Sequence, residues 1–262
     1  MTNNLINKSV DIIKKKGTLS FIGKLNRRII RDIIGPIIVS IIGLFFVPSI
    51  IKKLKRATNK EDTLDDSVNI AFNFKVNRFN FAPSQIREEI LELLKVLEKL
   101  NPKISLEIGT AGGGTLFLFT RITDKNGSII SIDVPMLFYG GYPIWKIPIY
   151  KSFGKGNQKI YLLRKDSHKK ETLEDVKNIL SGRQVDFLFI DGLHTYEGVK
   201  SDFEMYSNLV RNGGIIAFHD IVPYPEYGIN KFWNEIKNNY KNFEIVKDRN
   251  QDLGFGIGII YK

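Results

Sequence analysis

The sequence predicts an α/β protein: a Rossmann-like, doubly wound, mostly parallel seven-stranded sheet, led by a basic and hydrophobic helical segment. Three observations carry that prediction. Short apolar runs alternate with helix-period stripes from Pro83 to the end of the chain, which is the pattern of a parallel sheet covered on both faces. The stretch Ser105 to Thr115, SLEIGTAGGGT, leads from an apolar run into a glycine cluster and then into a helical pattern, LFLFTRI. Acids and all three histidines fall where the apolar runs end, and ligands of such sheets bind at the carboxyl ends of strands.

The segment before residue 60 differs from the rest. It holds 13 of the 39 Lys and Arg and 2 of the 28 Asp and Glu, so it carries the whole net charge of +11. The remainder is neutral, which argues against a nucleic-acid enzyme, whose basic surface would extend over the catalytic domain. Leu5 to Ile30 is basic and amphipathic, and Ile33 to Ile51 is a 19-residue run without charge. That run is near the ~20 residues needed to span a bilayer. Pro36 and Pro48 disfavour one straight helix through it. The expectation is membrane association at the cytoplasmic face, whether peripheral, re-entrant or single-pass, on an anionic membrane surface. The expected boundaries are 1–60 for this segment and 61–262 for the sheet domain. A chain beginning near Asp62 is expected to stay soluble. There is no cysteine, which excludes disulfides, thiolate chemistry and zinc–thiolate sites.

Residues 57–81 read as a linker followed by a lid-like segment rich in Phe and Asn. Pro83 to Leu100 reads as a helix capped by Ser84, with Ile86, Ile90, Leu93, Leu94, Leu97 and Leu100 on one stripe. The first strand, ending at Ile108, enters the glycine turn at Gly109. Glycines there allow positive φ and close approach of a ligand to the backbone, and the following helix offers free N–H groups. The second strand, SIISIDV, ends at Asp133, about 25 residues beyond the turn, where a carboxylate can accept ribose hydroxyls. Residues 135–158 form a long aromatic and glycine-rich excursion with Phe138, Tyr139, Tyr142, Trp145 and Tyr150, suited to shaping a pocket or to plain packing. The third strand ends at Asp166 and Ser167, which read an adenine edge or cap the next helix. VDFLFIDG ends at Asp191, GGIIAFHD at His219 and Asp220, and FEIVKD and GFGIGIIYK complete the sheet.

These residues resemble a family. Glu107 to Thr115, EIGTAGGGT, is similar to motif I of class I S-adenosylmethionine-dependent methyltransferases. Ile190 to Asp202, IDGLHTYEGVKSD, followed by Gly213 to Asp220, resembles the subgroup of macrocin-type sugar O-methyltransferases and cephalosporin-hydroxylase-like proteins. The resemblance covers roughly residues 75–262. It implies that Gly109, Thr110, Ala111, Gly113 and Thr115 hold the methionine part of the cofactor, with Glu107 supporting the turn. It implies Asp133 for the ribose, Asp166 and Ser167 for adenine, and a cofactor contact from Asp191. In metal-using members, acids matching Asp191 and the 219–220 pair bind magnesium. Here position 219 is histidine, so a metal on Asp191, His219 and Asp220 would be Mg²⁺ or, with imidazole present, more suitably Mn²⁺, Fe²⁺ or Zn²⁺; the alternative is metal-free chemistry with His194 or His219 as base.

The expected chemistry is methyl transfer to oxygen, because the D/N-P-P-Y signature for amines is absent. His194, Asp191 and His219 are the expected catalytic residues, with His194 ranked first as base. The alternation of side chains along a strand is an objection to Asp220 and His219 both facing the site. The expected acceptor is a sugar hydroxyl of a glycan or lipid-linked glycan. Two alternatives stay open: a nicotinamide-dependent oxidoreductase, against which motif I departs from G-x-G-x-x-G, and a non-catalytic membrane adaptor.

Overall fold

The computed structural model describes residues 35–135, 140–249 and 254–262. The amphipathic stretch Leu5 to Ile30 and the aromatic pair Phe138 and Tyr139 lie outside the described residues.

Seven strands form one sheet: β3 (Ile104–Ile108), β4 (Ser128–Asp133), β5 (Lys159–Arg164), β6 (Val185–Ile190), β7 (Val210–His219), β8 (Lys241–Ile245) and β9 (Ile257–Tyr261). Their spatial order is β5-β4-β3-β6-β7-β9-β8. The first five are parallel, and β9 runs antiparallel to both neighbours. The order reverses at β3, so the crevice of the sheet opens beside the glycine turn. Alternation along the central strands feeds two cores. Phe187, Phe189, Ile215 and Ala217 face one, and Leu188, Ile190, Ile216 and Phe218 face the other.

The first core is covered by helices from the N-terminal half. α1 (Gly35–Thr58) is one helix with Pro48 inside it, not the interrupted run expected from the prolines. Val47, Ile50 and Leu54 on its inner face are buried in the core, and that packing holds the helix on both sides of the ring. No described helix is long and apolar enough to cross a membrane. Val47, Ile50 and Leu54 of α1 share this core with residues of the domain expected from residue 61 onward. Glu61 forms an ion pair at 2.8 Å with Arg121, both side chains only 4% exposed.

Residues 57–81 are neither linker nor lid. Thr63 and Asp66 make a reciprocal capping box at the start of α2 (Leu64–Asn73). A two-residue-a-strand hairpin follows, β1 (Lys75–Val76) with β2 (Phe79–Asn80). Phe74, Phe79 and Phe81 are buried, and the Phe81 ring lies 5.2 Å from Phe117 and 5.1 Å from Phe153. The phenylalanines that suggested a lid fill the core. α3 (Arg87–Leu100) begins later than expected, with Ile86 at its N-cap and no side-chain cap from Ser84. α4 (Gly114–Ile122) follows the glycine turn, and α5 (Ile147–Lys151) interrupts the 135–158 excursion. α6 (Lys170–Leu180), α7 (Tyr196–Tyr206) and α8 (Ile229–Ile236) follow in the C-terminal half; Val176, Leu180, Val199, Phe232 and Trp233 from them are buried in the second core.

Candidate active site

The glycine turn is built from behind. Glu107 on β3 is fully buried and accepts hydrogen bonds from the Thr115 hydroxyl of α4 and from the Ser131 hydroxyl of β4, the latter at 2.6 Å. The Thr110 and Ser131 hydroxyls are 2.5 Å apart. Burial drives the Glu107 carboxyl up to about 8, against the two hydroxyls that favour its charged form. Gly109 has φ +102°, and a Cβ there would overlap the Asp191 carbonyl oxygen. Gly113, at φ +92°, stands at the N-cap of α4. The third positive φ of the turn is Ala111, at +42°, while Gly112 and Gly114 are not in that region. The turn is closed by Asp133, whose Oδ2 accepts from the Ala111 N–H at 2.7 Å and whose Oδ1 accepts from Val134 N–H at 2.8 Å. Tyr150 donates its hydroxyl to the Ala111 carbonyl at 3.0 Å. Tyr142 and Tyr150 are fully buried, so this part of the excursion is packing that steadies the turn.

Across the crevice, strand register brings the second group together. Ile190 of β6 pairs with Phe218 of β7, so Asp191 and His219, one residue on, are neighbours on one face. His219 Nδ1 lies 3.4 Å from Asp191 Oδ1 and 3.0 Å from Asp220 Oδ1. Alternation alone would turn Asp220 away. Its φ of +60° swings the carboxylate back to the His219 side. His194, in the loop after β6, reaches between the two acids: Nε2 is 3.5 Å from Asp191 Oδ1 and Nδ1 is 3.5 Å from Asp220 Oδ2. The Tyr227 ring meets the imidazole edge-on at 4.5 Å. Gln85, before α3, donates Nε2 to Asp191 Oδ2 at 2.9 Å and fixes that carboxylate.

Burial works against charge throughout this cluster, and the pairing overrides it. Despite burial, the charge and hydrogen bond of Asp191, joined by Asp220, hold His219 up to about 10. His194 is likewise raised, burial notwithstanding, by Asp191 and Asp220. Burial disfavours the Asp191 carboxylate, yet the two imidazoles keep it below the usual carboxylate range. Asp191, His219 and Asp220 each offer one donor atom, all within 4.8 Å of one another. With His219 deprotonated, two carboxylates and an imidazole fit a divalent cation of the Mn²⁺ kind better than Mg²⁺.

One cavity of about 700 Å³ joins the two groups. Gly109, Ala111, Asp133, Asp166, Ser167, Asp191, His194, His219 and Asp220 of the expected residues line it. Glu107, Thr110, Gly113 and Thr115 stand behind the turn instead and shape it. Asp166 lines the cavity but does not cap α6, whose N-cap is Lys169 with no side-chain cap; its carboxylate accepts instead from the His168 N–H at 2.9 Å. Ser84, read as a cap, lines the cavity. Gln85, Tyr227, Tyr224 and Phe255 were missed. Gln85 and Phe255 lie far along the chain from the motifs, whereas Tyr224 and Tyr227 follow Asp220 by a few residues in the aromatic turn YPEYG at 224–228.

The glycine turn backed by Glu107 and Asp133 at the next strand tip stand at the switch point of a doubly wound sheet, where such folds bind ligands. Residues 106–221 match the family described as a methyltransferase domain. Among curated proteins, the chain is 32% identical over 119 residues to the uncharacterized protein R132 of Acanthamoeba polyphaga mimivirus. That match covers 45% of this chain and 52% of the relative, so the chain spans about half the length of that protein. Among solved structures, the calicheamicin methyltransferase CalS11 superposes with a TM-score of 0.53 at 14% identity, covering 82% of this chain and 91% of that one. A caffeoyl-CoA O-methyltransferase-like protein from Staphylococcus aureus gives a TM-score of 0.52 at 19% identity, covering 81% and 98%. At such identities these structures establish the fold.

Proposed function

We propose that this chain is an S-adenosylmethionine-dependent O-methyltransferase acting on a hydroxyl of a glycan or lipid-linked sugar at the cytoplasmic face of a membrane. The observation that carries the reading is one cavity with a glycine turn and Asp133 on one side and His194 between Asp191 and Asp220 on the other. Bound against that turn, the cofactor supplies a methyl group on a good leaving group. The protein then has to align and deprotonate the acceptor.

Asp133 closes the Ala111 turn and offers its carboxylate at the second strand tip, where ribose hydroxyls are read. His194 is the base. Its imidazole would take the proton of the acceptor hydroxyl as that oxygen receives the methyl group the cofactor would supply. Asp191 and Asp220 orient the ring and stabilise its charged form once the proton has arrived. Gln85 keeps Asp191 in place, and Tyr227 limits rotation of the imidazole. Asp191, His219 and Asp220 would hold a divalent cation, which would lower the pKa of the acceptor hydroxyl.

The sugar acceptor and the membrane setting rest on the family resemblance and on the charge of residues 1–60. The test is calorimetric titration with S-adenosylmethionine, followed by transfer of a radiolabelled methyl group into cell-envelope fractions. Binding without label in any envelope fraction would remove the glycan reading. Binding of a nicotinamide dinucleotide in place of S-adenosylmethionine would remove the methyltransferase reading. Transfer that survives exhaustive chelation would remove the metal and leave His194 as sole activator.

A further inference from the structure

Five large hydrophobic side chains stand exposed among the described residues, and their distribution is uneven. Leu44, Phe45 and Phe46 are consecutive on α1, with Phe45 80% exposed. Ile144 lies on a 3-10 turn, Ile144–Lys146, that packs against α1, where Trp145 sits over Gly43. Leu193 lines the active-site cavity, between Asp191 and His194. Residues 140–146 connect the two places, because Gly140 and Gly141 line the same cavity just before that turn. Exposed apolar side chains therefore stand on α1 and on the turn packed against it, and that turn is joined through buried Tyr142 and Pro143 to the glycines at the cavity.

Two turns further along α1, Lys52, Lys55 and Arg56 are exposed, and none has an ion-pair partner among the described residues. They flank a shallow groove floored by Val47, Pro48 and Ile51. Apolar side chains beside unpaired cations are the composition of a surface that lies in a headgroup layer. The opposite face of α1 is already committed, since Ile50 and Leu54 are part of the domain core. The helix can lie on a bilayer without leaving the domain, whereas spanning would strip the core. Charge argues against the other occupants. Residues 1–34 contain 8 Lys and Arg against 2 Asp, so they would set like charge on the stripe, as would a second copy of α1.

We infer that the α1 face with Phe45 and Ile144 docks on an anionic bilayer surface, and that the adjoining cavity takes a hydroxyl acceptor anchored in that surface by a lipid. The second half rests on the methyltransferase reading; the docking face does not. Docking by this face sets the 140–146 segment, and with it the cavity mouth, against the headgroup layer. Leu193 then offers the entering lipid-linked chain an apolar contact beside His194.

The experiment uses the full chain and sedimentation with vesicles of phosphatidylcholine, with and without phosphatidylglycerol. The chain should bind the phosphatidylglycerol vesicles and release with salt. Phe45→Asp combined with Ile144→Asp should weaken binding at least tenfold. Lys52→Gln, Lys55→Gln and Arg56→Gln should each weaken it by about fivefold. S-adenosylmethionine affinity and the unfolding midpoint should not move, because these side chains are exposed. If the aspartate pair lowers the midpoint, Phe45→Gln alone is read instead. Binding unchanged in the Phe45 and Ile144 variants would assign the membrane to residues 1–34 and overturn the face. Equal binding to pure phosphatidylcholine would overturn the anionic surface, and a dimer dissolved by Phe45→Asp would replace the bilayer with a second copy. For the acceptor, methyl label should enter the solvent-extractable lipid fraction. Label confined to the aqueous fraction overturns the lipid anchor. Absence of both label and cofactor binding overturns the methyltransferase reading while the vesicle result stands.

Discussion

Replacing Glu107 by Gln should make the protein more stable at pH 8 than the parent, and the advantage should vanish in acid. Glu107 is buried beneath the glycine turn, and burial lifts its carboxyl from 4.5 to about 8. Below pH 4.5 the group is neutral in both the folded and unfolded chain, so it costs nothing. Between 4.5 and about 8 the unfolded chain releases the proton and the folded chain keeps it, and stability falls as pH rises. Above about 8 the loss is complete. At about 1.4 kcal/mol for each pKa unit, the full loss is on the order of 5 kcal/mol, an upper figure for a group with two hydroxyl partners. Glutamine keeps the shape and can bond both Thr115 and Ser131, whose hydroxyls rotate to donate or accept. Urea unfolding of both proteins at steps from pH 4.5 to 8.5 reads the difference, in which all other titrating groups cancel. The gap should open with pH in favour of Gln. Parallel profiles would mean that Glu107 stays charged in the fold and that the Ser131 and Thr115 hydroxyls outweigh burial.

Three further outcomes are expected. Asp133→Ala frees the Ala111 N–H and should weaken S-adenosylmethionine binding by roughly 1.5–3 kcal/mol, the range for hydrogen bonds to charged groups, as read by calorimetry; an unchanged Kd removes Asp133 from the cofactor site. His194→Ala should lower kcat by about 10²–10⁴ with cofactor affinity nearly intact, and full turnover would eliminate it as base. Glu61→Ala leaves the buried Arg121 unpaired and should cost about 3–5 kcal/mol in denaturant unfolding, so a chain beginning at Asp62, which also lacks Ile50 and Leu54, should fail to fold. A soluble, cooperatively unfolding chain from Asp62 would show that α1 is dispensable.

The sequence by itself determined the sheet and one half of the site. Strand and helix periods are local, so every strand of the seven was legible, with β8 displaced by two residues where FEIVKD was read for Lys241–Ile245. The glycine turn and Asp133 were legible because consecutive residues at two strand tips must meet across a parallel pair. Other features needed partners distant in sequence. The phenylalanines of 74–81 read as a lid because nothing local announces Phe117 and Phe153, against which they pack. α1 read as a separate apolar segment because Ile50 and Leu54 are indistinguishable, in sequence, from residues that face lipid. Gln85 is separated by 106 residues from the Asp191 it orients, with no motif around it. The last case is Asp220. Alternation along β7 gives His219 to the site and takes Asp220 away, and only a left-handed residue at the strand end reverses that. A backbone angle of +60° at a non-glycine position is imposed by the surrounding packing, so tertiary structure alone placed that carboxylate beside His194.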